Sequence, residues 1–365
     1  MGIFQTSNDK NEIEELTLAQ FELNLFQEIS KSNPGINIII SPLSIYHILS
    51  LVATGTKENT LKEILNVLNN KDHNEMNKIN KIITSVLTQI SEIEIANGIF
   101  TKFTPEKNFM KNINEYKAKT DKLKDIETIN NWCNEKTHGK INKIINEIKP
   151  QDVMIILNGI YFNALWKIPF DKKNNFKKNF LNFNKEEKKV EFMSLKEEFK
   201  FYDDEEIQVV FLKYKKESLN AIIILPNKEI NLDDYIKNFT KEKFGEIILN
   251  AKETKIVLNL PKFEINYETE LKPYLKNLGI NQAFNLNANF TGISQEKNIF
   301  INQILHKTFI KVDEQGTETS CITEVELTLD LPLEINVDHP FLFVITDDEL
   351  PSDYKILFIA KIETL

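Results

Sequence analysis

The feature that most restricts this chain is a set of short, nearly unbroken apolar runs in its later part, at residues 153–157, 222–225, 341–345 and 356–362. Runs this short, with few polar alternates to give to water, read as buried strands rather than helices. Residues 256–263 read as a further, partly buried strand. Before Pro150 the texture differs. Leu18, Phe21, Leu25, Phe26 and Ile29 fall at helical spacing. Residues 36–40, following Pro34-Gly35, read as a short strand, and Ser41-Pro42 opens a second helix with proline in its first turn. Residues 59–90 are mostly helical in pattern. Residues 105–150 are rich in Lys and Asn, with apolar residues at helical intervals. Helices early and strands late predict an α+β fold with large antiparallel or mixed sheets. There is no internal repeat, linker or low-complexity block, so residues 1–365 are expected to form one domain.

A hydrophobic fraction of 41% is enough for a sizeable core, and a formal net charge of −9 argues against a nucleic-acid partner. The chain has no arginine. Cys133 and Cys321 cannot build a disulfide framework; they fit a reducing compartment, or a secreted protein that does not depend on disulfides. The first residues lack a charged region followed by an apolar stretch, so the expectation is a cytoplasmic protein, with release by an unconventional route as the alternative. Met1-Gly2-Ile3-Phe4-Gln5-Thr6 matches the N-myristoylation pattern, which chance also explains. No apolar run approaches the ~18 residues of a membrane span.

Motifs for catalysis are missing. There is no Gly-x-Ser-x-Gly, no His-Glu-x-x-His, no phosphate loop and no Cys-x-x-Cys, so no enzyme, metal site or cofactor is expected. His47, His73, His138, His306 and His339 are scattered and read as hydrogen-bonded structural residues. The lysines between Lys111 and Lys124 are interrupted by Glu115 and Asp121 and read as a solvated face.

One segment is unusual. From Thr317, alternate residues are Thr317, Thr319, Cys321, Thr323, Val325, Leu327 and Leu329, all small or apolar. Between them lie Glu318, Ser320, Ile322, Glu324, Glu326, Thr328 and Asp330, mostly polar or acidic. This is the period of a strand with one buried face, and no proline or glycine interrupts it before Pro332. Taken alone, it would be an ordinary edge strand.

It does not stand alone. Glu314-x-Gly316-Thr317-Glu318 resembles the hinge of the serpins. Ser41-Pro42-Leu43-Ser44-Ile45 with Gly55-Thr56 resembles that family's second-helix motif, and Ala96-Asn97-Gly98-Ile99-Phe100 one of its strands. Asn130-Asn131-Trp132 with Thr137-x-Gly139-Lys140-Ile141 resembles the helix that crosses the main sheet. Asn158-Gly159-Ile160-Tyr161-Phe162 with Ala164 and Trp166 resembles the neighbouring strand. Leu260-Pro261-Lys262-Phe263, Leu278-Gly279-Ile280, Phe290-Thr291-Gly292-Ile293-Ser294, His306-Lys307 and Asp338-His339-Pro340-Phe341-Leu342-Phe343 are similar to further blocks. The order and spacing are specific, although no single block is.

The resemblance implies an α+β serpin fold of three β-sheets and about nine helices, with an exposed reactive-centre loop near residues 314–340. It implies a suicide inhibitor and not an enzyme: a protease attacks the loop, forms an acyl-enzyme, and is trapped as the cleaved loop enters the main sheet. The partner would be a protease, held covalently by a monomer. A strand of about 13 residues would reach roughly 43 Å. On this reading Glu314, Gly316, Thr317, Glu318, Thr319 and Cys321 form the hinge, with Thr317, Thr319 and Cys321 facing inward. Ser41, Ser44, Asn158 and His306 match the polar shutter under the opening strands. The hinge departs from the usual alanine-rich pattern, and Ala360 replaces a usual glycine. The family's spacing from Glu314 puts the cut at Asp330-Leu331; placing the one-residue shortening on the other side of the cut puts it at Leu329-Asp330. The first suits an Asp-specific protease, the second a chymotrypsin-like one. A non-inhibitory carrier is the remaining alternative within the family.

Overall fold

The computed structural model describes residues 20–316, 332–350 and 355–365. Leu18 and Gly2, and within the loop Thr317, Glu318, Thr319, Cys321, Leu329, Asp330 and Leu331, lie outside the described residues.

Among the described residues there are nine α-helices and two hydrogen-bonded sheets. The five-stranded sheet contains β2 (Ile93–Thr101), β3 (Lys119–Lys122), β4 (Met154–Phe162), β10 (Phe263–Glu270) and β11 (Gln303–Val312), in the order β10-β11-β4-β2-β3. The nine-stranded sheet is organised around β6 (Glu187–Asp203). The first half of β6 pairs with β5 (Phe176–Leu181), and its end pairs with β7 (Ile207–Lys213). On its other edge β6 pairs with β9 (Lys252–Pro261), which carries β12 (Leu333–Asn336). From β7 the sheet continues through β8 (Leu219–Pro226), β13 (Phe341–Asp347) and β14 (Ile356–Ile362) to β1 (Ile38–Ile40). The three expected sheets are thus one separate sheet and two that share β6.

The apolar runs form the strands that the sequence predicts. Every residue of β4, β8, β13 and β14 is buried. Three readings need refinement. The helical stretch at 59–90 is two helices, α3 (Glu58–Val67) and α4 (His73–Gln89), separated where Asn69 takes a positive φ and Asp72 caps α4 by accepting from the backbone of Asn74 and Glu75. The stretch at 105–150 holds α5 (Lys107–Glu115) and α6 (Ile126–Lys136), but Lys119–Lys122 pairs as β3 with β2. After α6 the chain has no regular element until β4; its apolar residues Ile141, Ile144 and Ile145 pack onto the five-stranded sheet with Trp132 and Cys133. Periodicity registers burial there, and burial does not require a helix.

Helix α1 (Gln20–Ser32) and the wholly buried α2 (Pro42–Ala53) fill the space beside the sheets. Helix α6 lies close over the five-stranded sheet because the strands beneath it carry glycines. A Cβ on Gly98 would meet the Trp132 ring at 2.8 Å, and one on Gly159 the Cys133 sulfur at 3.0 Å. Helices α7 (Leu232–Asn238), α8 (Lys241–Asn250) and α9 (Lys272–Leu278) complete the set.

Candidate functional site

Strands β4 and β11 pair directly and in parallel, from Gln303 opposite Ile155 to Phe309 opposite Tyr161. Their outer neighbours, β2 and β10, pair with them antiparallel. A parallel ladder is slightly weaker per residue than an antiparallel one. A strand entering between β4 and β11 in the opposite direction would exchange one parallel ladder for two antiparallel ones. The sheet has one other parallel ladder, the four-residue pairing of the edge strand β3 with β2, so the β4–β11 seam is the longer of the two places where an added antiparallel strand improves the pairing.

The chain arrives at the head of that seam already reversed. After β11 it turns through Asp313–Gly316, where Asp313 and Gly316 form an antiparallel bridge and the Gly316 N–H donates to the Asp313 carbonyl at 3.2 Å. The turn is gripped by the segment that follows β4. The Trp166 N–H donates to the Gln315 carbonyl at 3.0 Å, its indole Nε1–H to the Asp313 carbonyl at 2.9 Å, and the Phe170 N–H to the Glu314 carbonyl at 2.7 Å. Trp166 itself is stacked on Tyr214 at 4.4 Å between ring centres. Gly316 has φ +81°, and a Cβ there would lie 2.2 Å from the Ala164 carbonyl oxygen. Only glycine fits, on both conformational and steric grounds.

Glu314 is buried and anchors the turn through its side chain. Its Oε1 accepts from Lys262 Nζ at 3.0 Å and from Asn175 Nδ2 at 2.5 Å. Burial pushes this carboxyl up, but Asn175 and Lys262 outweigh burial and hold it below the usual carboxylate range. The far side of the loop is also held. Strand β12 pairs with β9, and the buried Asp338 contacts Lys178 and Lys228, each at 3.1 Å.

Lower in the seam lies a buried polar chain. The Ser41 N–H donates to His306 Nε2 at 3.3 Å, and His306 Nδ1–H donates to Asn158 Oδ1 at 2.6 Å. Asn158 Nδ2 donates to Ser44 Oγ at 2.5 Å and to Asn97 Oδ1. Asn97 Nδ2 donates to His47 Nδ1 at 3.4 Å, and His47 Nε2–H donates to Thr84 Oγ1 at 2.9 Å. Read along its length, the chain assigns one proton to each imidazole. Burial pushes His306 down to about 3 and His47 down to about 4, which keeps both neutral. The link from His306 to Asn158 crosses the seam itself, since these two residues are paired in the ladder.

All four residues expected in the lower cluster, Ser41, Ser44, Asn158 and His306, are brought together, and Glu314 and Gly316 lie at the head of the same seam. Sequence reasoning missed Asn97, His47 and Thr84. Asn97 lies inside a quoted motif and sits opposite Asn158 in the ladder. His47 follows Ser41 and Ser44 at helical intervals. Those spacings were the available signal. Trp166, Asn175 and Lys262 were likewise not assigned to the hinge; their contact with it depends on β4 and β11 ending side by side. Among the described residues no cluster of His, Cys, Asp and Glu could hold a metal ion.

A family model described as Serpin (serine protease inhibitor) matches residues 16–364. An uncharacterized serpin-like protein of Methanosarcina acetivorans is 31% identical over 94% of this chain and 84% of its own length. Intracellular coagulation inhibitor 2 of Tachypleus tridentatus is 29% identical, covering 95% of this chain and 90% of that protein. Among solved structures, the thermophilic serpin tengpin in its native state superposes with a TM-score of 0.86 at 30% identity, covering 100% of this chain and 96% of tengpin. The chain belongs to the serpin family.

Proposed function

We propose that this serpin is an inhibitor of the suicide-substrate kind, acting on a serine protease as a monomer. The observation that carries the reading is the seam: β4 and β11 are paired directly, and the chain after β11 has already turned back at its head. In this reading the protease serine Oγ attacks the carbonyl carbon of the scissile residue, forming the acyl ester, and the following residue leaves with its amine protonated. The freed strand then enters between β4 and β11, drawing the attached enzyme along. Glu314, Gly316, Thr317, Glu318, Thr319 and Cys321 act as the hinge. Ser41, Ser44, Asn158 and His306 hold the seam shut until cleavage. The alternation from Thr317 to Leu329 supports this, because the inward set contains no charge and no proline.

We place the reactive bond at Leu329-Asp330, which suits an enzyme with an apolar specificity pocket. The count from Glu314 favours a second reading, Asp330-Leu331 and an Asp-specific protease. Cytosolic action fits the name of the Tachypleus relative and the free, buried Cys133, whose thiol burial pushes up to about 12.

The test is a panel of proteases, with adducts scored by denaturing electrophoresis and the released C-terminal peptide identified by mass. A chymotrypsin-like enzyme should give a denaturant-resistant adduct that Leu329→Ala abolishes and Asp330→Ala leaves. The reverse pattern with an Asp-specific enzyme would establish the second reading. Trypsin should give no adduct, because residues 312–345 contain no Lys or Arg. Cleavage without any adduct across the panel would make the protein a carrier-type member.

A further inference from the structure

The outer face of the seam, crossed by α6 and the segment after it, carries a contact that reaches both strands. Tyr161 of β4 and Phe309 of β11 are paired in the ladder, and their rings meet across the seam at 5.7 Å between centres. Both are buried, yet among the described residues neither belongs to the two apolar clusters that form the core. What lies over them is a cation. The Nζ of the exposed Lys140 sits 5.7 Å from the centre of the Tyr161 ring and 5.6 Å from that of Phe309. An ammonium within about 6 Å of a ring is attracted by the ring's quadrupole. The turn after α6 aims it there. Thr137 Oγ1 accepts from the Ile141 N–H at 3.0 Å, Gly139 takes a φ of +79°, and the neighbouring Ile141 is fully buried. Lys307, on the same face of β11 two residues before Phe309, donates to the Lys143 carbonyl at 2.9 Å and to Glu268 of β10 at 2.9 Å. It ties the crossing segment to one side of the seam, whereas Lys140 touches both sides.

We propose that Lys140 is a positioning residue for loop insertion: its ammonium, shared by Tyr161 and Phe309, clasps β4 to β11 and slows their separation. Neighbouring strands lie about 4.8 Å apart, so an inserted strand would double the spacing and place its own outward side chain between the two rings. The ammonium would then face one ring and not both. The clasp therefore belongs to the closed seam alone. Because side chains alternate along a strand, it acts on the face opposite the buried polar chain of Asn158 and His306. Removing it should let the cleaved loop enter sooner, so that more attacks end in a trapped enzyme and fewer in hydrolysis of the acyl ester by water. That consequence rests on the inhibitor reading; the clasp itself is a contact of the intact seam.

The experiment follows uptake of a fluorescent peptide of residues 317–329 by the intact full-length protein, which reports opening of the seam without a protease. Lys140→Met keeps most of the side-chain length and removes the charge. It should speed uptake by about two- to fivefold, the factor to which an exposed cation–π contact corresponds. Lys140→Arg should restore the wild-type rate. Phe309→Leu should also speed uptake, and Lys140→Met should add less in that background than in the wild type. Lys140 is on the surface, so its variants report even if Phe309→Leu does not fold. An unchanged rate in Lys140→Met, an Arg variant as fast as the Met variant, effects of the Lys140 and Phe309 changes that simply add, or no uptake by any variant would each overturn the proposal. Protease adducts are scored separately. Peptide uptake governed by Lys140 in a protein that traps no protease would count against the inhibitor reading and leave the clasp standing.

Discussion

The β4–β11 seam and the C-terminal hairpin β13–β14 are both buried in sheet interiors, yet they are held in different ways. In the hairpin the strands pair antiparallel, β13 is paired on its other edge to β8, and Phe341, Phe343 and Phe358 are fully buried. Nothing in that arrangement improves if a strand is added. At the seam the ladder is parallel, and its centre is occupied by Asn158, His306 and Asn97 instead of apolar side chains. Apolar packing is non-directional and tolerates small shifts. A hydrogen-bonded chain of fixed tautomers holds one spacing and loses its bonds together when that spacing changes. On the proposed reading, the difference separates a contact built to persist from one built to open once.

The largest effect should come from blocking the opened seam. Thr317→Arg requires an unpaired guanidinium in the inward set, which costs several kcal/mol. Loop cleavage should continue while the adduct disappears. An unchanged adduct yield on denaturing electrophoresis would remove the distinction between seam and hairpin.

Next in size is a pair of substitutions, one in each region. Asn158→Ala leaves His306 Nδ1–H, Ser44 Oγ and Asn97 Oδ1 unsatisfied, and should destabilise the intact protein by about 2–4 kcal/mol. After insertion a strand separates β4 from β11, so Asn158 and His306 stand about 9.5 Å apart. The same change should then cost the loop-cleaved form clearly less. Ile359→Val in the hairpin should cost about 0.5–1.5 kcal/mol in both forms alike. Denaturant unfolding of intact and nicked protein measures all four values.

These contrasts were only partly legible in the sequence. The apolar runs at 341–345 and 356–362 announce buried strands because burial on both faces leaves no polar alternates. The order of the blocks around Ser41, Asn158 and His306 was enough to place those residues in one cluster. The extension of that cluster through Asn97 to His47 and Thr84 was signalled only by spacing, Asn97 within a quoted motif and His47 one helical interval after Ser44, and which side chains meet appears only in the fold. The shared strand β6 escaped notice for another reason. Its residues from Glu187 to Asp203 are mostly half-exposed and charged, so they lack the apolar run that marks the other strands. Gly316 could be matched to a motif, but the Ala164 carbonyl that makes it obligatory appears only in three dimensions.

The smallest expected effect is in pH dependence, where the two regions should pull in opposite directions. In the unfolded chain an imidazole titrates near 6.5, whereas in the fold His306 and His47 are held down at about 3 and about 4. The stability they contribute is present above pH 6.5 and is lost as pH falls toward 4, because only the unfolded chain takes up the protons. Just past the end of the hairpin, burial pushes Glu363 up to about 7, against the opposing pull of Lys361. Its contribution is present below its ordinary value of 4.5 and is lost as pH rises through 7. Each titrating group contributes a slope of at most about 1.4 kcal/mol per pH unit, so the two imidazoles together can double it on the acid side. Melting profiles from pH 4 to pH 8 should therefore fall on both sides. Glu363→Gln should flatten the alkaline side and leave the acid side in place.

The central claim is that the seam between β4 and β11 is an unfilled strand position in the intact protein. The most direct measurement compares thermal unfolding of the intact chain with that of protein nicked once between Thr323 and Leu331 by a non-target protease. The account predicts that the nicked protein unfolds at a much higher temperature, with amide exchange across β4 and β11 slowed. A nicked form that melts at the same temperature as the intact one, or below it, would contradict the account.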